Sequence, residues 1–317
     1  MTARIVIAEF MDQAAVDRLA AVAEVTYDPK LVDDPGRLEG LVADCDALIV
    51  RNRTQVRDAL LDGLKRARVV GRLGVGLDNI DVAGCEAKGI EVIPATGANA
   101  VAVAEYVLAT ALVLARRGAY AASGRVAAGD WPRNQLIGGE IFGKTFGLIG
   151  FGGVAREVAA RARPFGVDLI AYDPVYGPDH TIWLEYDTRP LPLESVIAKS
   201  DILSLHVPLT EQTRNLIDEA EIGRMRKGAI LINTARGGVV DEAVLAAALR
   251  EGRIGGAALD VFADEPLRAG GPLDGVPNLI LSPHIAGVTD ESNVRVSHLI
   301  ADKVMAALGL AATGNGR

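Results

Sequence analysis

The sequence predicts an α/β protein built from two parallel sheets, and three observations lead to this fold class. The chain has 317 residues, 50% of them hydrophobic, which is enough for two domains that each have a core. Short apolar runs alternate with helix-length amphipathic stretches, a pattern typical of parallel sheets with crossover helices. The alternation stops at a polar connection, residues 129–143, and then starts again, so we expect two such sheets.

The first alternating region supplies five strand-like runs, namely RIVIAEF, VTYD, ALIVRNR, ARVVGRLG and IEVIPA. A long apolar segment follows at residues 100–117, AVAVAEYVLATALVLARR, and it contains Glu105. A charged residue inside a membrane span is costly, and this segment is barely long enough to cross a bilayer. We therefore expect a helix that is buried in a core or in a subunit interface.

The second alternating region supplies six further strand-like runs, namely TFGLIG, VDLIAY, DILSLHV, GAILINT, GAALDV and NLILSP. Six runs with helical stretches between most of them are enough for a complete doubly wound sheet. In such sheets ligands bind beyond the carboxyl ends of the strands. Functional residues are therefore sought at the ends of these runs.

Bulk composition excludes several classes of partner. A formal net charge of -8 and only 4% aromatic residues argue against nucleic acid, which needs a basic face and stacking platforms. Cys45 and Cys85 stand outside any spaced metal or redox motif, so we expect reduced structural thiols and no metal site. The first residues, MTARIVIAEF, lack a signal-peptide layout, and the prediction is a cytoplasmic protein that does not enter a membrane.

A glycine-rich loop, GLIGFGGVAREVA, follows the first strand of the second region. Gly150, Gly152 and Ala155 match the dinucleotide fingerprint, in which backbone N–H groups at a helix start approach a pyrophosphate. Asp173 ends the next strand, at the place of the acidic residue that accepts from an adenosine ribose. Its charge would repel a 2′-phosphate, and no arginine follows before Arg189, so NAD is preferred to NADP.

Polar residues stand at several strand ends of the second region, and Arg236 is the most demanding of them. A guanidinium after the apolar run ILINT is costly to desolvate, so an anion should meet it. His284 is the preferred catalytic histidine because Pro283 and Gly287 bracket it in a tight turn, whereas His206 is ambiguous. The two other histidines, His180 and His298, are expected to be structural.

Several motifs occur in the order seen in the D-isomer-specific 2-hydroxyacid dehydrogenases, and the chain resembles that family over nearly its whole length. The motifs are GRLGVGLDNID, the glycine-rich loop with Asp173, HVPLTEQTRNLI, NTARGGVVDE, ALDVFADEP and SPHIAG. The resemblance implies a Rossmann NAD-binding domain, residues 100–287, inserted into a flavodoxin-like substrate domain. Residues 1–99 and 288–317 would form that substrate domain.

The resemblance also implies individual roles. Arg236 would bind the substrate carboxylate, His284 would be the acid/base, and Glu265 would be the partner of the histidine. A planar guanidinium suits a carboxylate, and an imidazole beside a carboxylate suits reversible proton transfer, so the residue types fit these roles. The residues expected to line the NAD site are Gly150, Gly152, Gly153, Val154, Asp173, Val207, Pro208, Thr213, Thr234, Ala235, Asp260 and Gly287.

Two arginines of the first region, Arg51 and Arg72, follow strand-like runs in loops that face the substrate in phosphoglycerate dehydrogenases of this family. They predict a second anion at C3 of the substrate, and Val75 and Gly76, in the loop after Arg72, are expected to bind substrate as well. For Arg53 both interpretations stay open, an ordinary surface arginine or a third residue near the anion. The segment WPRNQL resembles one that reaches the neighbouring subunit's active site. It predicts a homodimer in which Arg133 adds a third positive charge.

The C3 anion has two natural candidates, a sulfonate and a phosphate. The motifs from VRNRT to SPHIAGVTDESN are more similar to members that oxidise (S)-sulfolactate than to phosphoglycerate enzymes, so 3-sulfolactate is favoured. The alternatives are 3-phosphoglycerate and the reduction of glyoxylate or hydroxypyruvate. An NAD-responsive corepressor is an alternative from another class, whereas Glu265 argues against a formate dehydrogenase.

Overall fold

The computed structural model describes residues 2–310. The chain divides into two compact units, one formed by Met1–Asn99 with Val288–Arg317 and the other by Ala100–Gly287. Each unit has its own parallel sheet, so the predicted fold class is confirmed. The assignment of substrate binding to the first unit stays a prediction.

The first unit contains a five-stranded sheet in the order β2-β1-β3-β4-β5, the order of flavodoxin-like sheets. Every neighbouring pair is parallel. Its strands are β1 (Arg4–Ile7), β2 (Glu24–Tyr27), β3 (Ala47–Val50), β4 (Val69–Arg72) and β5 (Glu91–Pro94). Its first four helices are α1 (Gln13–Ala20), α2 (Pro35–Val42), α3 (Asp58–Gly63) and α4 (Val82–Ala87).

The second unit contains a seven-stranded parallel sheet in the order β12-β11-β10-β9-β6-β7-β8, which is the doubly wound order with one strand added at an edge. The six runs expected from the sequence all form strands, and β8 is an additional one. The strands are β6 (Thr145–Ile149), β7 (Asp168–Tyr172), β8 (Arg189–Pro190), β9 (Ile202–Leu205), β10 (Ile230–Asn233), β11 (Gly256–Leu259) and β12 (Leu279–Leu281).

The helices of the second unit cover both faces of this sheet. The apolar segment forms α5, which buries Val107, Ala111 and Leu114 and leaves Glu105 exposed. No helix within residues 2–310 is long and apolar enough to cross a membrane. The helices are α5 (Ala100–Ala115), α6 (Ser123–Ala127), α7 (Gly153–Ala162), α8 (Ile182–Glu185), α9 (Leu193–Lys199), α10 (Glu219–Arg224) and α11 (Glu242–Arg250).

The chain returns to the first unit through α12 (Asp290–Leu308). Thr289 caps this helix by accepting a hydrogen bond from the backbone N–H of Ser292. Gly71 in β4 gives the helix room, because a Cβ there would lie 2.9 Å from Ile300 Cγ2 and 3.0 Å from Val304 Cγ2. The last helix is therefore part of the core of the first unit.

Candidate active site

The glycine-rich loop connects β6 to α7 and leaves the start of that helix open. Gly150 adopts φ +84°, and a Cβ on it would lie 2.4 Å from the carbonyl oxygen of His206. Gly152 is the N-cap residue of α7 and offers no side-chain cap, and nothing lies within 4 Å of a Cβ built on Gly152 or Gly153. The positive end of a ten-residue helix is thus accessible to a phosphate group.

Asp173 lies just beyond β7 and holds the glycine-rich loop with its carboxylate. Oδ2 accepts the backbone N–H of Phe151 at 2.6 Å, and Oδ1 accepts that of Val175 at 2.8 Å. Sequence reasoning missed that an arginine is close by. Arg156 on α7 donates from Nε to the Phe151 carbonyl and from Nη2 to the Tyr176 hydroxyl, each at 3.1 Å.

Two polar atoms at neighbouring strand ends are buried without a hydrogen-bond partner among residues 2–310. They are Nε2 of His206, after β9, and Oγ1 of Thr234, after β10. Since Leu205 pairs with Asn233 in the sheet, His206 and Thr234 occupy equivalent places at its carboxyl edge. Burial lowers the pKa of His206 to about 3, so its ring is neutral at physiological pH and carries no charge to anchor an anion.

The loop after β9 and the turn after β10 contain the remaining predicted cofactor residues of this edge. The hydroxyl of Thr213 donates to the Pro208 carbonyl at 2.6 Å, which closes the loop after the half-buried Val207. The backbone N–H of the buried Ala235 donates to the side chain of Asn233 at 3.0 Å.

Two further residues predicted to line the cofactor site lie elsewhere in the unit. Val154 is half-buried at the start of α7, and Gly287 is the last residue of the unit.

Arg236 sits in a turn that the two following glycines allow. The side chain of Asn233 ties the turn back to β10, since its Nδ2 donates to the Arg236 carbonyl at 2.9 Å. A Cβ on Gly237 would lie 1.7 Å from the carbonyl oxygen of Phe262, so only glycine fits this close approach, and Gly238 adopts φ +76°. The guanidinium donates to the carbonyl of Ala235.

His284 and Glu265 are brought together as expected. Nδ1 of His284 lies 2.8 Å from Oε2 of Glu265, and Oε1 of the glutamate accepts the backbone N–H of Phe262 at 3.1 Å. His284 adopts φ +56°, in the left-handed region that residues with a side chain seldom occupy. Its side chain is 44% exposed, so a substrate can reach the ring.

Asp260 enforces the conformation of the loop that carries His284. Its buried carboxylate accepts from the backbone N–H groups of Ile285 and Ala286, both at 2.8 Å, and from the Ser282 hydroxyl at 2.6 Å. Because Ser282 gives its proton to Asp260, the Tyr106 hydroxyl donates to Ser282. Asp260 is predicted to line the cofactor site; among residues 2–310 its carboxylate contacts the loop that carries His284.

The two predicted anion-binding arginines follow adjacent strands of the first unit. Arg72 ends β4, and its guanidinium folds across Gly74, where a Cβ would lie 1.5 Å from Nη1. Nη1 donates to the Leu73 carbonyl at 3.0 Å. Arg51 directly follows β3, whose last residue pairs in register with Arg72. Val75 is exposed in the loop beyond β4.

Arg53, by contrast, is a surface residue. It forms an exposed ion pair with Asp33, and this pair raises the pKa of its guanidinium. Gly76 is half-buried in the loop that follows β4, two residues after Gly74. Arg133 lies exposed in the second unit, in a 3₁₀ turn over Arg133–Gln135.

Comparison with known proteins decides the family. Residues 108–286 match the family described as D-isomer specific 2-hydroxyacid dehydrogenase, NAD binding domain. The chain is 53% identical over 308 residues to an (S)-sulfolactate dehydrogenase of Chromohalobacter salexigens, covering 97% of this chain and 99% of that protein. This chain belongs to the D-isomer specific 2-hydroxyacid dehydrogenases. It is therefore an oxidoreductase that uses NAD.

Other members of the family extend the comparison. A hydroxypyruvate reductase of Thermotoga maritima is 39% identical over 277 residues, covering 85% of this chain and 87% of that protein. The crystal structure of a glyoxylate reductase from Paecilomyes thermophila superposes with a TM-score of 0.85 at 28% identity, covering 98% of each chain. The Rossmann architecture of the second unit agrees with that solved structure.

The second unit of this 2-hydroxyacid dehydrogenase has the features that a dinucleotide needs. Three features lie at the loops beyond the carboxyl ends of the strands: the open start of α7, the Asp173 carboxylate, and the buried hydroxyl of Thr234, which has no hydrogen-bond partner in the described part of the chain. NAD, when bound, supplies the acceptor for the hydride.

Proposed function

We propose that this dehydrogenase oxidises a D-configured 2-hydroxy acid that carries an anionic group at C3, and that the substrate is 3-sulfolactate. The observation that supports this proposal most strongly is the pair of arginines at the ends of β3 and β4. Because the two strands are adjacent, parallel and in register, both arginines leave the sheet at the same edge. Two guanidinium groups at one edge suit a second anion in addition to the carboxylate.

In this proposal Arg236 holds the carboxylate of the substrate. The turn between Asn233 and Gly238 fixes its backbone, so the planar guanidinium can form a bidentate pair with little loss of freedom. The same group polarises the adjacent C2 oxygen. His284 then exchanges a proton with that oxygen, and Glu265 keeps the ring oriented.

The sulfonate is favoured over a phosphate by the likeness to the sulfolactate dehydrogenase, which covers both chains almost completely. The S descriptor of sulfolactate is compatible with a D-specific enzyme, because sulfur outranks the carboxyl group in naming and inverts the descriptor without inverting the geometry. Phosphoglycerate and hydroxypyruvate or glyoxylate remain the alternatives. The hydroxypyruvate reductase relative shares less of this sequence.

A homodimer is part of the proposal. Residues 119–143 carry several large apolar side chains that are exposed in the single chain, among them Trp131 at 81% and Phe142 at 74%. Exposed apolar surface of this kind is typical of a protein interface. The same segment contains Arg133, which would reach the neighbouring subunit's substrate. A mass in solution of twice 33.2 kDa is expected.

We also place the enzyme in the cytoplasm, where both of its cysteines would stay reduced. Cys45 and Cys85 are buried and unpaired with each other, and burial raises the pKa of the Cys45 thiol to about 12. A thiol of this kind is poorly reactive.

The proposal is tested by steady-state assays of the purified enzyme with NAD. Sulfolactate, 3-phosphoglycerate, glycerate and lactate are compared at matched concentrations. The expected order of kcat/KM is sulfolactate first, phosphoglycerate second, and the two acids without a C3 anion last. A preference for glycerate or lactate would overturn the proposal that the substrate carries an anion at C3. A preference for phosphoglycerate would overturn only the assignment of that anion as a sulfonate.

A further inference from the structure

Glu9 is a buried acidic residue just beyond β1, and the reaction does not use it directly. It is 4% exposed and stands in an otherwise apolar run, IAEF. Its carboxylate accepts three backbone N–H groups of one turn. Oε1 accepts from Arg51 at 2.8 Å and from Thr54 at 3.0 Å, and Oε2 accepts from Arg53 at 3.1 Å.

Asn79 holds the same turn by donating hydrogen bonds to the carbonyl groups of the turn. Its buried Nδ2 donates to the Thr54 carbonyl at 2.7 Å and to the Arg51 carbonyl at 3.2 Å. The turn over residues 51–54 is therefore fixed through both kinds of backbone group. The Glu9 carboxylate accepts from its N–H groups, and the Asn79 amide donates to its carbonyl groups. Hydrogen bonds that backbone N–H groups donate to a buried carboxylate are stronger than bonds between neutral groups, so Glu9 is the dominant constraint on the turn.

The side chain of Arg51 extends from this fixed turn and is itself restrained. Nη2 donates to Oδ1 of Asn293 on α12 at 2.8 Å, and Cζ lies 5.8 Å from the ring centre of Phe10. Burial lowers the pKa of Arg51, while the negative charge of Glu9 opposes that effect. The backbone and the guanidinium of the arginine are thus both held by residues of the first unit.

We propose that Glu9 is a positioning residue for the C3 anion of the substrate, and that it acts by fixing the turn from which Arg51 extends. This inference rests on the proposed role of Arg51. A guanidinium that is already placed loses little freedom when the anion binds, which strengthens binding without any new contact. Glu9 therefore contributes to selectivity for acids with a C3 anion and has no part in the proton or hydride transfer.

The experiment compares sulfolactate with glycerate in four variants of the full-length enzyme with NAD. Glu9→Gln replaces one carboxylate oxygen by an NH2 group. This group can only donate, so it cannot accept from the backbone N–H that it would face. Losing one such bond to a charged group raises KM for sulfolactate by about tenfold, with kcat and the glycerate constants within about twofold of wild type. Glu39→Gln, at an exposed position on α2, is the matched control and should change neither substrate.

Arg51→Ala separates the two hypotheses, and the double variant tests the mechanism. If Arg51→Ala affects both substrates equally, the proposed role of Arg51 is wrong. If Arg51→Ala is selective for sulfolactate but Glu9→Gln is not, the positioning role is wrong while the role of Arg51 stands. Adding Glu9→Gln to Arg51→Ala should cost nothing further on sulfolactate, and a full additional loss would show a general structural effect.

A further variant covers the case in which Glu9→Gln does not fold, as judged by thermal unfolding. Asn79→Ala removes the two bonds to the turn carbonyls and leaves the buried carboxylate in place. We expect the same selectivity in this variant, with a smaller rise of KM for sulfolactate than the glutamine variant would give. Equal losses on sulfolactate and glycerate would overturn the proposal.

Discussion

Nδ1 of His284 lies 2.8 Å from Oε2 of Glu265, and the other oxygen of the glutamate accepts the backbone N–H of Phe262. The glutamate thus joins the histidine to the loop after β11. This bond leaves one ring nitrogen for the substrate and fixes the orientation of the ring.

Replacing the glutamate should lower the rate while leaving the histidine in place. In Glu265→Gln we expect kcat for keto-acid reduction to fall, because the amide no longer holds the ring of His284 as the carboxylate does. The measurement is kcat of keto-acid reduction, with Asp264→Asn as the control at an exposed neighbouring position. Wild-type kcat in Glu265→Gln would contradict the pairing.

Removing the imidazole should abolish proton transfer. His284→Ala should lose about 10²- to 10⁴-fold in kcat while NAD still binds. The same rate assay and a titration of the variant with NAD check this; a kcat close to wild type would contradict the role of His284.

Ser282 should matter for catalysis although it does not reach the substrate in this account. Ser282→Ala removes one of the three hydrogen bonds to Asp260, which holds the catalytic loop, so we expect kcat to fall about three- to tenfold. Ser282→Thr keeps the hydroxyl and should restore most of the activity. KM for NAD, measured in parallel, should change less than kcat. Wild-type kcat in the alanine variant would refute the positional role of Asp260.

Cofactor choice should depend on Asp173 and Arg156 together. Both side chains contact the backbone of Phe151, the carboxylate at its N–H and the guanidinium at its carbonyl. Asp173→Ala should narrow the preference for NAD over NADP, because the repulsion of a 2′-phosphate is removed and a cation stays close. Adding Arg156→Gln should cancel the gain with NADP. The test is kcat/KM with each cofactor; comparable wild-type values for NAD and NADP would contradict the role of Asp173.

The half-buried side chain of His206, whose Nε2 atom is enclosed, should make folding sensitive to acid. Its pKa is about 3 in the folded protein and about 6.5 in an unfolded chain, so between these values only the unfolded state gains the proton. The contribution of His206 to the free energy of unfolding is therefore absent above pH 6.5, and it increasingly favours the unfolded state as the pH falls. His206→Gln should therefore lose less stability than wild type between pH 7 and pH 4 in urea unfolding. Parallel pH curves for the two proteins would show that the ring is not buried in this way.

Much of the fold could be predicted because the strands are short, apolar and separated by amphipathic helices. β8 could not, since Arg189–Pro190 has neither the length nor the apolar pattern of a strand and is fixed only by pairing with β7. The pairing of His284 with Glu265 came from the family resemblance, because the sequence separation of 19 residues gives no local signal.

The supporting residues were harder to find than the reacting ones. Glu9 carries one visible signal, an acidic residue inside an apolar run, yet only the structure shows that three backbone N–H groups surround it. Arg156 precedes Asp173 in the chain, so the stretch that follows Asp173 gives no sign of it, whereas α7 brings its side chain back to the glycine-rich loop. Such contacts depend on tertiary packing and leave no fixed spacing in the sequence.

Arg51 and Arg72 are proposed to bind an anion at C3 of the substrate, and kcat/KM of their alanine variants tests this role most directly. Each variant should lose roughly ten- to a hundredfold on sulfolactate, as expected for a hydrogen bond to a charged group, and almost nothing on glycerate. Arg53→Ala, in the same turn but paired with Asp33 at the surface, is the control and should match wild type on both substrates. Equal losses on sulfolactate and glycerate would contradict the claim and show that the two arginines are structural.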